Sequence, residues 1–335
     1  MNIKRVMNTI VMPFKKSESK LRKNYERACG KGYCPTTKEI ENSAIKELAN
    51  RLEAASEKET LTNILEWQND NIVIWFERYP LSNILLLSVA AFFASLVPSL
   101  LLGLWLLVAI LGTLSGTLLA ITILMVSYYR KIPLKQLYNI FRASIPISFL
   151  LENKLGVCRD YAKLTACLLA NIYPDAEIYF VRAPQHVATG MVIKNELYML
   201  DKQLPIVTIG KWHERWDSER KIEKFKRDHL ESVPNPYLHE TKPTKPNTEK
   251  LATEMMKLLN IKEQTSEADL SSLEILRWKK GATLYEDNEI VNFSLARRLE
   301  TRISSELIRI NQITGIEISR QKYDLTFLIL FSQNK

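Results

Sequence analysis

Residues 156–181, GVCRDYAKLTACLLANIYPDAEIYFV, followed by HVATGMVI at 186–193 and LYMLD at 197–201, decide the reading of this chain. Gly156 to Ile172 reads as a helix with a buried stripe of Val157, Leu164, Ala166 or Cys167, Leu168 and Ile172, and Pro174-Asp175 ends it. Three strand-like runs come next, Glu177 to Arg182, Val187 to Ile193 and Leu197 to Leu200, with Lys194-Asn195-Glu196 shaped for a tight connection. A helix followed by antiparallel strands predicts an α+β fold.

The same stretch carries the residues that could do chemistry. Cys158 falls in the first turn of the predicted helix, where the helix dipole and unpaired backbone amides favour a thiolate. Taken alone, such a cysteine is more often a small buried hydrophobe. Cys167, nine residues further along among Leu164, Ala166 and Leu168, reads as packing. His186 opens one strand and Asp201 ends its antiparallel neighbour, which can bring a base and an orienting carboxylate within hydrogen-bond reach. Singly, His186 reads as a strand-end histidine and Asp201 as a turn residue before Lys202. The chain holds four histidines, and His213, His229 and His239 lie in charged or linker sequence without a matching thiol.

Leu81 to Tyr129 contains no charged side chain and is more than twice the roughly 20 residues that cross a bilayer. It predicts a transmembrane helical hairpin over residues 81–129, with helices near Leu81 to Val97 and Leu104 to Tyr128 and a reversal at Pro98 and Gly103. Arg78 precedes it and Arg130, Lys131 and Lys135 follow, so both flanks, both termini and the catalytic core are expected in the cytoplasm of a two-span cell-membrane protein. The Gly112-Thr113-Leu114-Ser115-Gly116 spacing suits close packing of the two helices.

At 335 residues, 46% hydrophobic and 25% charged, the chain excludes dominant disorder. Four cysteines, Cys29, Cys34, Cys158 and Cys167, are too few for a disulfide framework. Much of the net charge of +9 lies in a basic arm, residues 1–35. The arm reads as a solvated tail that could also lie on an anionic lipid surface, and nucleic acid is not expected because no groove-reading motif accompanies the charge. Cys29 and Cys34 would be half a zinc site, yet no local histidine or second cysteine pair completes it, so no metal or other cofactor is expected.

Two capping boxes, Thr36 with Glu39 and Ser56 with Glu59, predict helices over residues 36–80, the first with an apolar face of Ile40, Ala44, Leu48 and Leu52. Residues 130–232 form the catalytic part, closing with a charged helix from Trp212 to Leu230. A Pro-rich linker at 233–250 leads to a small α/β domain at 251–335 with helix, strand, long helix and a terminal strand or hairpin.

GVCRDYA matches G-x-C-x-D/E-x-A, and with HVATGMVI and LYMLDKQLPI it resembles the transglutaminase-like superfamily of papain-like cysteine enzymes, closest to an uncharacterised archaeal transglutaminase-like membrane protein family. The resemblance covers roughly residues 38–80 and 140–215. It implies a core with a helix-borne cysteine packed on an antiparallel sheet, with Cys158 as nucleophile, His186 as base and Asp201 as orienter. The implied activity is acyl transfer from a peptide or isopeptide amide through a thioester, as a protease, deamidase or transglutaminase. The hairpin would then be an insertion within the core. Val187-Ala188 follow His186 where many members carry a small residue and Trp, and no calcium-binding acidic cluster is apparent. A binding module that kept the cleft, or a membrane scaffold, are the competing readings.

Overall fold

The computed structural model describes residues 32–74, 89–128 without 91, 95 and 97–99, 142, 144–183, 186–214, 221–234 without 228, 245–262, 270–306 and 312–332. In chain order these form α1 (Thr37–Ile40), α2 (Ser43–Leu52), α3 (Glu57–Asn71), β1 (Val73–Ile74), α4 (Trp105–Tyr128), α5 (Ile147–Asn153), β2 (Leu155–Gly156) and α6 (Cys158–Ile172). There follow β3 (Ile178–Ala183), β4 (His186–Ile193), β5 (Glu196–Leu200), β6 (Val207–Thr208), α7 (Ile209–Glu214), β7 (Lys221–Lys226) and β8 (His229–Val233). The C-terminal elements are α8 (Thr248–Leu258), β9 (Leu270–Trp278), α9 (Gly281–Leu284), α10 (Glu289–Glu306), β10 (Gln312–Gln321) and β11 (Asp324–Ser332). The described residues fall into two compact units, one with 32–33 and 73–160, the other with 34–72 and 161–332.

In the first unit β1 and β2 pair in parallel, Val73 with Leu155 and Ile74 with Gly156. The expected membrane hairpin is overturned here. Its first helix falls largely outside the described residues. Along α4 the described side chains end at Ile121, and Thr113, Ser115 and Thr117 each donate a hydroxyl to a carbonyl three or four residues back. Among the described residues no helix is long and apolar enough to cross a membrane. The inserted hairpin, the two-span location and the cytoplasmic placement built on it are therefore corrected.

The second unit holds a six-stranded sheet in the order β6-β5-β4-β3-β7-β8 and a three-stranded sheet in the order β10-β11-β9. The β4–β5 hairpin turns through Lys194 (φ 50°) and Asn195 (φ 66°), the doubly left-handed geometry whose twist matches that of its strands. On one face Thr189 donates its hydroxyl to the Ala162 carbonyl of α6 at 2.7 Å. On the other, Tyr179, Val181, Ala188, Leu197 and Met199 join a continuous core with Trp212 of α7, Leu295 and Leu299 of α10, and Leu325, Phe327 and Ile329 of β11. Gly190 has no room for a side chain, because a Cβ there would lie 2.8 Å from Leu197 Cδ1 and 2.9 Å from the Tyr198 carbonyl oxygen.

Helices α1 to α3 pack around α6 through polar ties as well as apolar ones. Lys163 Nζ donates to Glu39 Oε1 at 2.8 Å, Gln68 Nε2 to Thr165 Oγ1 at 2.8 Å, Asn171 Nδ2 to the Ile40 carbonyl at 2.9 Å, and Tyr161 Oη to the Ile72 carbonyl at 2.6 Å. Both predicted capping helices form, with Thr36 and Ser56 as N-caps. The first, however, is divided: Asn42 caps a new helix by accepting from the Ala44 amide at 3.0 Å, so Ile45, Leu48, Ala49 and Leu52 are buried and Ala44 is not. The charged helix expected over Trp212 to Leu230 is instead α7 followed by the antiparallel strands β7 and β8.

Candidate functional site

Two strands set the geometry of the second unit's polar pair. β4 and β5 register Thr189 against Leu200 and Gly190 against Met199. Continued one step, that register puts Asp201 opposite Ala188, with His186 two residues along on the same face, the diagonal relation across which long side chains meet. The side chains do meet: His186 Nε2 lies 2.8 Å from Asp201 Oδ1 and 2.9 Å from Oδ2. Both are nearly enclosed, with 9% and 10% of their side chains exposed. A carboxylate can only accept, so Nε2 carries the proton and Nδ1 is the nitrogen able to take another.

A third side chain completes this arrangement. Trp212, 1% exposed on α7, donates its indole Nε1–H to Asp201 Oδ2 at 2.9 Å. Its ring also stacks on the His186 imidazole, with centroids 6.1 Å apart and planes 27° apart. Asp201 is thus fixed by two donors, and the imidazole by a carboxylate at one edge and an aromatic face beside it. Sequence reading missed Trp212, having placed it at the head of a charged helix. The available signal was its position after the apolar run Ile206-Val207-Thr208-Ile209, which favours burial.

Cys158 is the first residue of α6 and is half-buried, without a disulfide. The turn that presents it is closed by Asp160, whose Oδ2 accepts from the Val157 amide at 2.9 Å while the Asp160 amide donates to the Val157 carbonyl at 2.9 Å. This reciprocal cap fixes the first turn and uses the acidic position of GVCRDYA for a structural purpose. Cys167 on the same helix is fully buried, and burial first, then Glu39, pushes its thiol far above the ordinary range. Cys167 is packed in the core, as its sequence context predicted, whereas Cys158 is half-buried. The structure brings His186 and Asp201 together in the second unit, and Cys158 belongs to the first. Gln185, Cys29 and His239 lie outside the described residues.

Comparison with known proteins places the fold in context. UPF0252 protein MJECL39 of Methanocaldococcus jannaschii is 27% identical over 189 residues, covering 53% of this chain and 52% of that protein. The chain thus spans about half the length of this curated relative. No solved structure matches it. A family model described as a transglutaminase-like domain matches residues 43–227, which hold Cys158, His186, Asp201 and Trp212 and make up more than half of the chain. The chain belongs to the transglutaminase-like domain family.

Proposed function

We propose that this protein is a cysteine acyl-transfer enzyme acting on peptide or isopeptide amides, with Cys158 as nucleophile, His186 as general base and acid, and Asp201 as the group that orients the imidazole. The observation that carries the proposal is the enclosed His186–Asp201 pair, whose 2.8 and 2.9 Å contacts fix the Nε2–H tautomer and direct basicity to Nδ1. Support comes also from Cys158 at the first position of a capped 15-residue helix, where the backbone dipole favours sulfur as thiolate.

The reaction follows from those roles. The Cys158 thiolate attacks the amide carbonyl carbon and a C–S bond forms. The C–N bond then breaks, and the imidazolium gives its proton to the departing amine. Water or a second amine loses a proton to His186 as it attacks the thioester, and the C–S bond breaks to return the thiol. Water gives hydrolysis or deamidation, and an amine gives transamidation.

Thiol profiling tests the reading. With limiting iodoacetamide at pH 7, Cys158 should alkylate at least about tenfold faster than Cys167, and His186→Ala should slow Cys158 and leave Cys167 unchanged. Slow, equal labelling at both positions would reject the enzyme and favour a binding module. A screen of peptide amides against the labelled and unlabelled protein then identifies the acyl donor.

A further inference from the structure

The loop that leaves Asp201 is tied down from outside the family match. Beyond Asp201 the chain turns through Lys202, held at a φ of 53°, and the Gln203 amide donates back to the Asp201 carbonyl at 2.5 Å. Two residues of α10 then grip the loop. Arg298 Nη1 donates to the Leu204 carbonyl at 2.5 Å, and the Ile206 amide donates to Ser294 Oγ at 2.9 Å. Ser294 is fully buried and its hydroxyl donates a hydrogen bond to the Val291 carbonyl at 2.9 Å, so its oxygen is left as an acceptor for Ile206. Two residues after Ile206, Thr208 Oγ1 donates to Glu286 Oε2 at 2.8 Å, just ahead of α7 and Trp212.

These ties stand between the two residues that determine where the imidazole sits. Asp201 precedes the gripped segment and Trp212 follows it, and both contact His186. A loop with a left-handed residue and few strand hydrogen bonds of its own would otherwise hold Asp201 loosely. Arg298 presents a rigid, planar donor set, which fixes a carbonyl better than a flexible ammonium would. Burial, and after it Arg302, lowers the Arg298 guanidinium from its ordinary value, so the Leu204 carbonyl is a needed acceptor.

We propose that Arg298 and Ser294 are positioning residues for the catalytic base: through the Leu204–Ile206 loop, α10 sets the distance and angle of Asp201 to His186. The role assigned to the base rests on the function proposed above, but the coupling of α10 to the His186–Asp201 pair does not. The C-terminal segment, which the family model does not reach, is then a working part of the catalytic unit.

The experiment follows the His186 imidazole by NMR titration in the full-length protein, comparing wild type with Asp201→Asn, Arg298→Ala, Arg298→Lys and Ser294→Ala. Removing an adjacent carboxylate charge lowers an imidazole midpoint by roughly one pH unit or more, and this is the change expected for Asp201→Asn. Arg298→Ala and Ser294→Ala should each reproduce at least about half of that drop, and Arg298→Lys should recover part of it. A wild-type titration in both Arg298→Ala and Ser294→Ala, with Asp201→Asn displaced, overturns the proposal. If Arg298→Ala fails to fold, Arg298→Lys and Ser294→Ala decide, and wild-type midpoints in both overturn it. Cys158 alkylation in His186→Ala is measured in parallel. An unchanged rate there rejects the catalytic reading alone, whatever the titrations give.

Discussion

Replacing Trp212 with phenylalanine removes one donor from Asp201 while keeping an aromatic ring against His186. The lost bond, indole Nε1 to Asp201 Oδ2 at 2.9 Å, joins a neutral donor to a charged acceptor in a setting where Trp212 is 1% exposed. Hydrogen bonds to charged groups contribute about 1.5–3 kcal/mol, and the burial here favours the upper half of that range. The smaller ring also gives up packing, so the single variant alone would not isolate the bond. A double-mutant cycle with Asp201→Ala does, because packing losses appear on both arms and cancel. Urea unfolding of the four proteins, followed by circular dichroism at pH 7, should give a coupling of about 1.5–3 kcal/mol. Expressed wholly in orientation of the base, the same energy would slow Cys158 alkylation roughly 10- to 150-fold in Trp212→Phe. Losses that add to within about 0.5 kcal/mol would refute the reasoning, since the bond would then contribute nothing that the two side chains do not contribute separately.

Two further perturbations probe the scaffold. Burial by itself would push the Glu39 carboxyl up, but the Lys163 charge and hydrogen bond, with two bonds from Thr36, outweigh it and hold Glu39 below the ordinary carboxylate value. A lowered folded value means stability present above the unfolded midpoint and lost as pH falls through the folded one. Urea unfolding should therefore weaken more steeply below roughly pH 5 in wild type than in Glu39→Gln, and parallel slopes would remove the linkage. Gly190→Ala would drive a methyl group to 2.8 Å from Leu197 Cδ1 and 2.9 Å from the Tyr198 oxygen. A backbone oxygen cannot step aside as a flexible side-chain end can, so a loss of about 1–3 kcal/mol in thermal unfolding is expected, and a wild-type midpoint would show that the hairpin yields.

The helix and hairpin around the site were legible because their patterns are local. Short, nearly continuous apolar runs mark β3 to β5, and Lys194-Asn195 supplies the two left-handed residues that a tight turn needs. The candidate pair was legible for the same reason, since a hairpin register fixes which strand ends meet. Trp212 was harder to place, because a six-residue helix merges in sequence with the charged stretch that follows it, and only the apolar run before it signals burial. Residues 221–233 carry charges at spacings that suit a helix. The structure turns them into strands in which Phe225 packs on Phe180 and Lys224 and Lys226 meet Glu177 and Glu231, partners set by sheet neighbours rather than by helical periodicity. Asn42 is a local signal that was available: a good N-cap inside an apolar series divides one helix into two. The uncharged run at 81–129 misled in the opposite sense, since lack of charge alone does not make a spanning helix, and among the described residues no helix is long and apolar enough to cross a membrane.

The His186–Asp201–Trp212 arrangement restricts what a nucleophile can do. Both carboxylate oxygens lie within 2.9 Å of Nε2, and one of them also accepts from the indole, so the carboxylate cannot rotate without breaking two bonds at once. The proton on Nε2 is held there, and any thiol served by this base must present its proton to Nδ1. In the proposed reaction, the base at His186, the first residue of β4, depends on how firmly the chain beyond β5 is anchored. That chain, from Asp201 to Trp212, is fastened at Leu204, Ile206 and Thr208 by groups from residues 286–298, all beyond the 43–227 span of the family match. The residue types that the proposed acyl transfer needs lie within that span, while the contacts proposed to orient the base come from outside it.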